Sequence, residues 1–231
     1  MNDYYIYYGF TTLAFLLTFG AQIYVQNTYA KYGNIRAMSG WNGASVARDI
    51  LDRNGLGSVD ILKTAGILTD RYDPRNMQVV LSQNNFENAS VASVAVAAHE
   101  CGHAIQHKES YAFLNIRSAL LPLVSISSYG GYLAIMMGAL LGMMNLIWIG
   151  IAMEIVILLF QVITLPVEFD ASRRALILIR ENSYLTEDEY DGAKKVLTAA
   201  ALTYVAAVAS TLLQILRLIL SFTDRSGRRR R

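Results

Sequence analysis

From Ser118 to Val167 the chain runs for fifty residues with one charged side chain, Glu154. A helix crosses the hydrocarbon core of a bilayer with about 20 apolar residues, so this run is too long for one crossing and suits two. Gly138, Gly142 and Asn145 suit a tight turn between them, predicting helices over 119–141 and 146–165 within a 118–166 hairpin. Tyr4 to Ala30 contains no Asp, Glu, Lys or Arg, which predicts a first crossing at 4–25 within residues 1–26. Tyr4, Tyr5, Tyr7 and Tyr8 would sit at its interface. No basic leading segment or small-residue cleavage site accompanies it, so it reads as a retained anchor. Val196 to Leu216 is again free of charge and predicts a fourth helix over 196–221. Residues 222–231, with Arg225 and Arg228 to Arg231, read as a disordered basic tail.

Composition agrees: 54% of residues are hydrophobic and 16% charged, where an average soluble domain is nearer a quarter charged. That excludes a disordered chain, and a formal net charge of +2 gives no sign of a nucleic-acid partner. A single cysteine, Cys101, excludes a disulfide framework and an all-thiolate metal site. Four crossings leave 26–118 and 166–195 on one side. Lys31, Arg36, Lys108, Arg117, Arg173, Arg174, Arg180, Lys194 and Lys195 lie there, and the positive-inside rule makes that side cytoplasmic. The arginine tail argues the other way.

The polar segment, 27–117, reads as a small α+β portion. Apolar residues recur at helical spacing over 43–54, and Gly55 stands where a C-terminal cap belongs. Residues 58–63 alternate like a strand, and Asp73-Pro74-Arg75-Asn76 is a turn signal before a second strand at 77–82. A helix capped by Ser90 then occupies 89–107.

That helix contains His99-Glu100-Cys101-Gly102-His103, an H-E-x-x-H pattern. Residues four apart on a helix differ by about 40° and 6 Å of rise, so both imidazoles converge on one point and can share a tetrahedral zinc ion. Glu100, turned by about 100°, stands beside the metal, where it can move a proton between a zinc-activated water and a leaving amine. The competing reading is a pair of polar residues ending a helix. A catalytic zinc needs a third protein ligand. His107 lies about 12 Å beyond His99 along the same helix, too far for bonds near 2 Å, and reads as a surface or supporting residue. Gln106 and Glu109 do not continue a metzincin pattern. Glu168, in Leu165-Pro166-Val167-Glu168-Phe169-Asp170, is the carboxylate candidate. It sits in the first turn of a helix predicted over 166–180, so it either ligates the metal or complements a positive helix end. Asp170 can pair with Arg173 or Arg174.

These residues resemble the YugP-like neutral zinc metallopeptidases of bacterial membranes. The resemblance covers nearly the whole chain and rests on segments 38–56, 68–82, 96–123 and 165–176. More distantly the chain is similar to the HtpX and CAAX prenyl protease group, where H-E-x-x-H and a Glu opening an E-F-x-A-D-like helix complete the site. The resemblance implies one zinc per chain held by His99, His103 and Glu168, with Glu100 as catalytic base, in a multi-pass protein of the bacterial cell membrane. Two departures stand out. Ser172 occupies the place of the Asp in E-F-x-A-D, which leaves its supporting role to Asp170 or an arginine. Arg71 occupies a place where relatives carry His, so Arg71 would have to act as an oxyanion donor if that role is kept.

The chain is therefore expected to be a mainly α membrane protein with four transmembrane helices and a small α+β zincin-like portion carrying the H-E-x-x-H helix. Its expected activity is hydrolysis of membrane or membrane-proximal proteins or peptides, whose backbone would add to an edge strand at 77–82. The alternative is a catalytically silent membrane scaffold that retains zinc. A metal transporter is disfavoured, because Glu154 is the one ionisable residue within the apolar runs. Glu154 itself is expected to hydrogen-bond a neighbouring Ser, Thr or Tyr, with Tyr129, Tyr132 and Tyr204 to hand. Cys101 is expected to be a packing thiol.

Overall fold

The computed structural model describes the backbone of residues 2–228 and the side chains of residues 8–222. The expected roles of the Tyr4, Tyr5 and Tyr7 side chains and of the arginines in the 222–231 tail lie outside the described residues. The order of elements is α1 (Asn2–Gly33), α2 (Gly43–Arg53), β1 (Asp60–Thr64), β2 (Arg71–Asp73), β3 (Gln78–Ser82), α3 (Gln83–Glu87), α4 (Val91–Lys108), α5 (Ala112–Leu141), α6 (Met144–Glu181) and α7 (Glu187–Arg228). The chain is thus mainly helical with one small sheet, and α1, α5, α6 and α7 are long and apolar enough to cross a membrane.

All four long helices outrun the apolar segments that predict them. α5 starts at Ala112 rather than 119, and α7 starts at Glu187 rather than 196 and continues to Arg228, so residues 222–228 are helical rather than a disordered tail. A charge marks where lipid would end, whereas a helix ends where its hydrogen bonds lose their caps. The start of α7 carries such a cap. Thr186 and Glu189 exchange bonds, the Thr186 N–H donating to Glu189 Oε2 at 2.9 Å and the Glu189 N–H to Thr186 Oγ1 at 3.4 Å. The largest correction concerns Pro166. It does not open a new helix; α6 passes through it without a break. Proline removes one donor from the helical ladder, an interruption that membrane helices tolerate where neighbouring groups re-satisfy the backbone.

The chain divides into two units. The first comprises Met1–Gln22, Ile116–Leu165 and Thr203–Arg231. Here α5 turns into α6 at Gly142, whose positive φ of 69° closes the helix while the Met143 N–H reaches back to the Gly138 carbonyl at 2.9 Å. The two helices then pack backbone to backbone: a Cβ on Gly150 would lie 2.8 Å from the Gly131 carbonyl oxygen. Ile147 and Ile151 of α6 pack on Ile215 and Leu218 of α7. Most other apolar side chains, among them Phe15, Phe19, Ile126 and Leu140, face outward. Glu154 is buried, but Tyr129 and Tyr132 are 84% and 69% exposed, so neither is its expected partner. Arg217 of α7, beyond the charge-free run, donates to Thr11 Oγ1 of α1 at 2.9 Å.

The second unit comprises Ile23–Asn115 and Pro166–Leu202. Its sheet has the order β1-β3-β2, with β1 parallel and β2 antiparallel to β3. The expected edge strand at 77–82 is therefore the centre of the sheet, since the short β2 covers its second side; the open edges belong to β1 and β2. Asp73 caps the β2–β3 turn by accepting from the Arg75 N–H at 2.9 Å. The core gathers Val46, Ile50 and Leu51 of α2, Val79 and Leu81 of β3, the length of α4, Ala175 and Ile179 of α6, and Val196 and Leu197 of α7.

Candidate metal centre

Helix α4 begins where Ser90 accepts the Ser93 N–H at 3.1 Å. From Val91 to Gln106 nearly every position is buried, because α4 runs through the core with alanine, glycine or serine at many of its contacts. Small residues allow neighbours to come close. A Cβ on Gly102 would lie 2.8 Å from the Ala171 carbonyl oxygen and 3.2 Å from Ala171 Cα. That absent side chain lets α6 approach α4 one turn after Glu168.

The approach brings His99, His103 and Glu168 together, each offering a ligand atom within 4.8 Å of the others. Glu168 Oε2 lies 3.4 Å from His99 Nε2 and 3.6 Å from His103 Nε2. A charge-assisted N–H···O bond is about 2.7–2.9 Å, so both separations are long for direct pairing. Two ligand atoms bound at about 2.0–2.1 Å to a tetrahedral ion stand about 3.4 Å apart. The donors fit a shared zinc-sized cation better than they fit one another, and two imidazoles with one carboxylate are a ligand chemistry that zinc takes. Because α6 is continuous, Glu168 has no helix end to complement, which removes the competing reading of its role.

Glu100 is 7% exposed and stands beside this group on the same helix. Burial is the main influence on its carboxyl and pushes its pKa above the usual glutamate range, while His99 and His103 pull it back. Cys101 is wholly buried, its Sγ 3.6 Å from the Ala47 carbonyl, and burial raises its thiol far above neutral pH, so it packs, as expected.

Each imidazole is held from behind. Ser172 Oγ is 3.2 Å from His99 Nδ1, and Gln106 Oε1 is 3.0 Å from His103 Nδ1. The departure at Ser172 is thus not a gap, since serine itself meets the histidine. Asp170 reaches the site through Gln106, whose Nε2 donates to Asp170 Oδ2 at 3.0 Å and to the Val167 carbonyl at 2.9 Å. Asp170 also accepts from Arg173 and Arg174, each at 2.6 Å, the helical pairings expected from spacing. His107 is not drawn into the cluster; its Nδ1 is 2.8 Å from the Tyr72 hydroxyl of β2. Arg71 is exposed at the start of β2 and donates to the Thr69 carbonyl at 3.3 Å, with no contact to the three ligand candidates. Sequence reasoning missed Gln106. Its signal was its position, one turn beyond His103 on a helix whose other buried positions are mostly apolar.

A helical protein with four helices fit to cross a membrane and a largely buried cluster of two histidines from an H-E-x-x-H helix and a glutamate from α6 belongs among membrane proteins with a candidate zinc site. The family comparison makes this specific. Residues 7–223 match the family described as "Putative neutral zinc metallopeptidase", and the chain belongs to that family. It is 44% identical over 216 residues, 93% of this chain and 96% of the relative, to the "Putative membrane protease YugP" of Bacillus subtilis (strain 168). No solved structure gives a significant match.

Proposed function

We propose that this chain is a membrane-embedded zinc endopeptidase in which His99 and His103 ligate through Nε2 and Glu168 through Oε2, with Glu100 as base and then acid. The observation that carries this reading is the pair of 3.4 and 3.6 Å separations between Glu168 Oε2 and the two imidazole nitrogens. Zinc bound there would supply Lewis acidity, polarising a peptide carbonyl and lowering the pKa of a water towards about 7. Glu100 takes a proton from the attacking water as its oxygen bonds to the carbonyl carbon. It returns that proton to the amide nitrogen as the C–N bond breaks, so one water is consumed and a carboxylic acid and an amine leave, which exchange the remaining proton to become a carboxylate and an ammonium. Its buried setting raises its affinity for the proton it must hold between the two transfers.

Membrane or membrane-proximal proteins are the proposed substrates, supported by the four long apolar helices and by the relative's name. Their backbone is proposed to pair along β2, an open-edged strand tied to the H-E-x-x-H helix by Tyr72 and His107. We assign the polar unit to the cytoplasmic side of the bacterial cell membrane on its Lys and Arg content. A C-terminal reporter active only in the cytoplasm would reverse that assignment. The activity itself is tested with protein in liposomes, presented with a reporter membrane protein carrying quenched fluorescent junctions. Wild type is expected to cleave and Glu100→Gln to be silent; equal cleavage by both would overturn the reading.

A further inference from the structure

We propose that Gln106 is a positioning residue that fixes the ring of His103 in the one tautomer able to bind a metal. The inference rests on the reading that His99, His103 and Glu168 are ligands, and it names what makes one of them competent.

Gln106 is 0% exposed and satisfies both ends of its amide inside the protein. Two oxygens lie at Nε2, the Val167 carbonyl at 2.9 Å and Asp170 Oδ2 at 3.0 Å. Neither can donate. The Val167 carbonyl has no hydrogen, and Asp170 is held as a carboxylate by Arg173 and Arg174. An amide turned the other way would set its oxygen against both. The NH2 group must therefore face α6, which forces Oε1 towards His103 Nδ1, 3.0 Å away. An oxygen there can only accept, so Nδ1 carries the proton and the Nε2 lone pair is left free. That Nε2 is the atom facing Glu168 Oε2 at 3.6 Å. The order of control runs from the arginines to Asp170, from Asp170 to Gln106, and from Gln106 to His103.

His99 is held differently. Its partner, Ser172 Oγ at 3.2 Å, is a hydroxyl that can donate or accept, so it tolerates either tautomer. One imidazole is fixed and the other is adjustable. The same Gln106 amide grips the Val167 carbonyl, so the turn that presents Glu168 is tied to the helix that presents His103.

The test uses the full chain in detergent. It measures zinc affinity by chelator competition, the visible spectrum of the cobalt-substituted protein, and the melting temperature of the metal-free form. Gln106→Met keeps the bulk and removes the acceptor. It is expected to weaken zinc binding by about 10–100-fold, as loss of a partner behind a metal-bound histidine does, and to alter the cobalt spectrum. Ser172→Ala is expected to cost less than Gln106→Met. Asp170→Asn, which can offer a donor and so frees the amide to turn, is expected to weaken zinc binding as well; it decides the question should Gln106→Met fail to fold. Wild-type affinity and cobalt spectrum in Gln106→Met, or in Asp170→Asn, would overturn the proposal while leaving the ligand set intact. Absence of zinc uptake by the wild type would instead strike the ligand set, and this inference with it.

Discussion

Helices α4 and α1 are both built largely from apolar residues, yet they are opposite environments. Along α4 nearly every side chain from Val91 to Gln106 is enclosed by protein, whereas Leu13, Phe15, Leu16 and Phe19 of α1 are 47–58% exposed. Small residues distinguish the first helix, large ones the second. Alanines and Gly102 draw other helices close enough to enclose a polar cluster, while leucine and phenylalanine present a surface that lipid would cover. Hydrophobicity therefore says that a segment avoids water; side-chain size says whether protein or lipid replaces it. Burial also gives α4's polar groups their leverage, since each one inside the unit must be satisfied by a specific partner.

That contrast can be broken at several points. Glu100→Gln should bear on chemistry alone, lowering the cleavage rate by about 10²–10⁴-fold or more while zinc stays bound; loss of zinc in this variant would move Glu100 into the ligand set. Next in size, Ile50→Ala removes a fully buried side chain beside α4 and should cost about 2–5 kcal/mol in detergent unfolding. A smaller cost would mean that the unit's core is looser than its burial implies. Chelation should then lower the stability of the same unit, by about 2.7 kcal/mol where free zinc had stood at a hundred times its dissociation constant. An unchanged melting curve would separate the metal from the fold. Gly102→Ala forces a methyl against the Ala171 backbone and should cost about 1–3 kcal/mol, with zinc affinity falling as α6 is pushed from α4. Full affinity there would show that the close approach is not what assembles the site. Phe19→Ala, in the lipid-facing contrast, should change stability by no more than about 0.5 kcal/mol. A larger effect would reveal a protein partner on α1.

Much of this architecture was legible in the sequence because its signals are local. Charge-free runs marked the four long helices, Ser90 stood where a cap belongs, and the i, i+4 spacing of His99 and His103 aimed two imidazoles at one point. What failed depended on long-range arrangement or on reading a charge as an end. Pro166 looked like a helix start because proline favours that position, but it is equally compatible with an interrupted interior. The strand at 77–82 looked like an edge because β2 is only three residues long and leaves no alternation to read. The Thr186–Glu189 box is a local signal for the start of α7, nine residues ahead of the charge-free run. Glu168 was legible as a candidate, but its distinction from a helix-end carboxylate required the continuity of α6. Gln106 shows in the sequence only as a polar residue one turn beyond His103, and Ser172 only as the residue in the place of an Asp, because nothing periodic marks a side chain that matters through the histidine it touches.

The most direct measurement is metal content per chain in detergent-purified protein, wild type beside Glu168→Ala. About one zinc is expected in the wild type, lost or held much more weakly in the variant, as for a three-ligand tetrahedral site. Equal zinc in both proteins would contradict it, because the α6 carboxylate would then play no part in holding the metal.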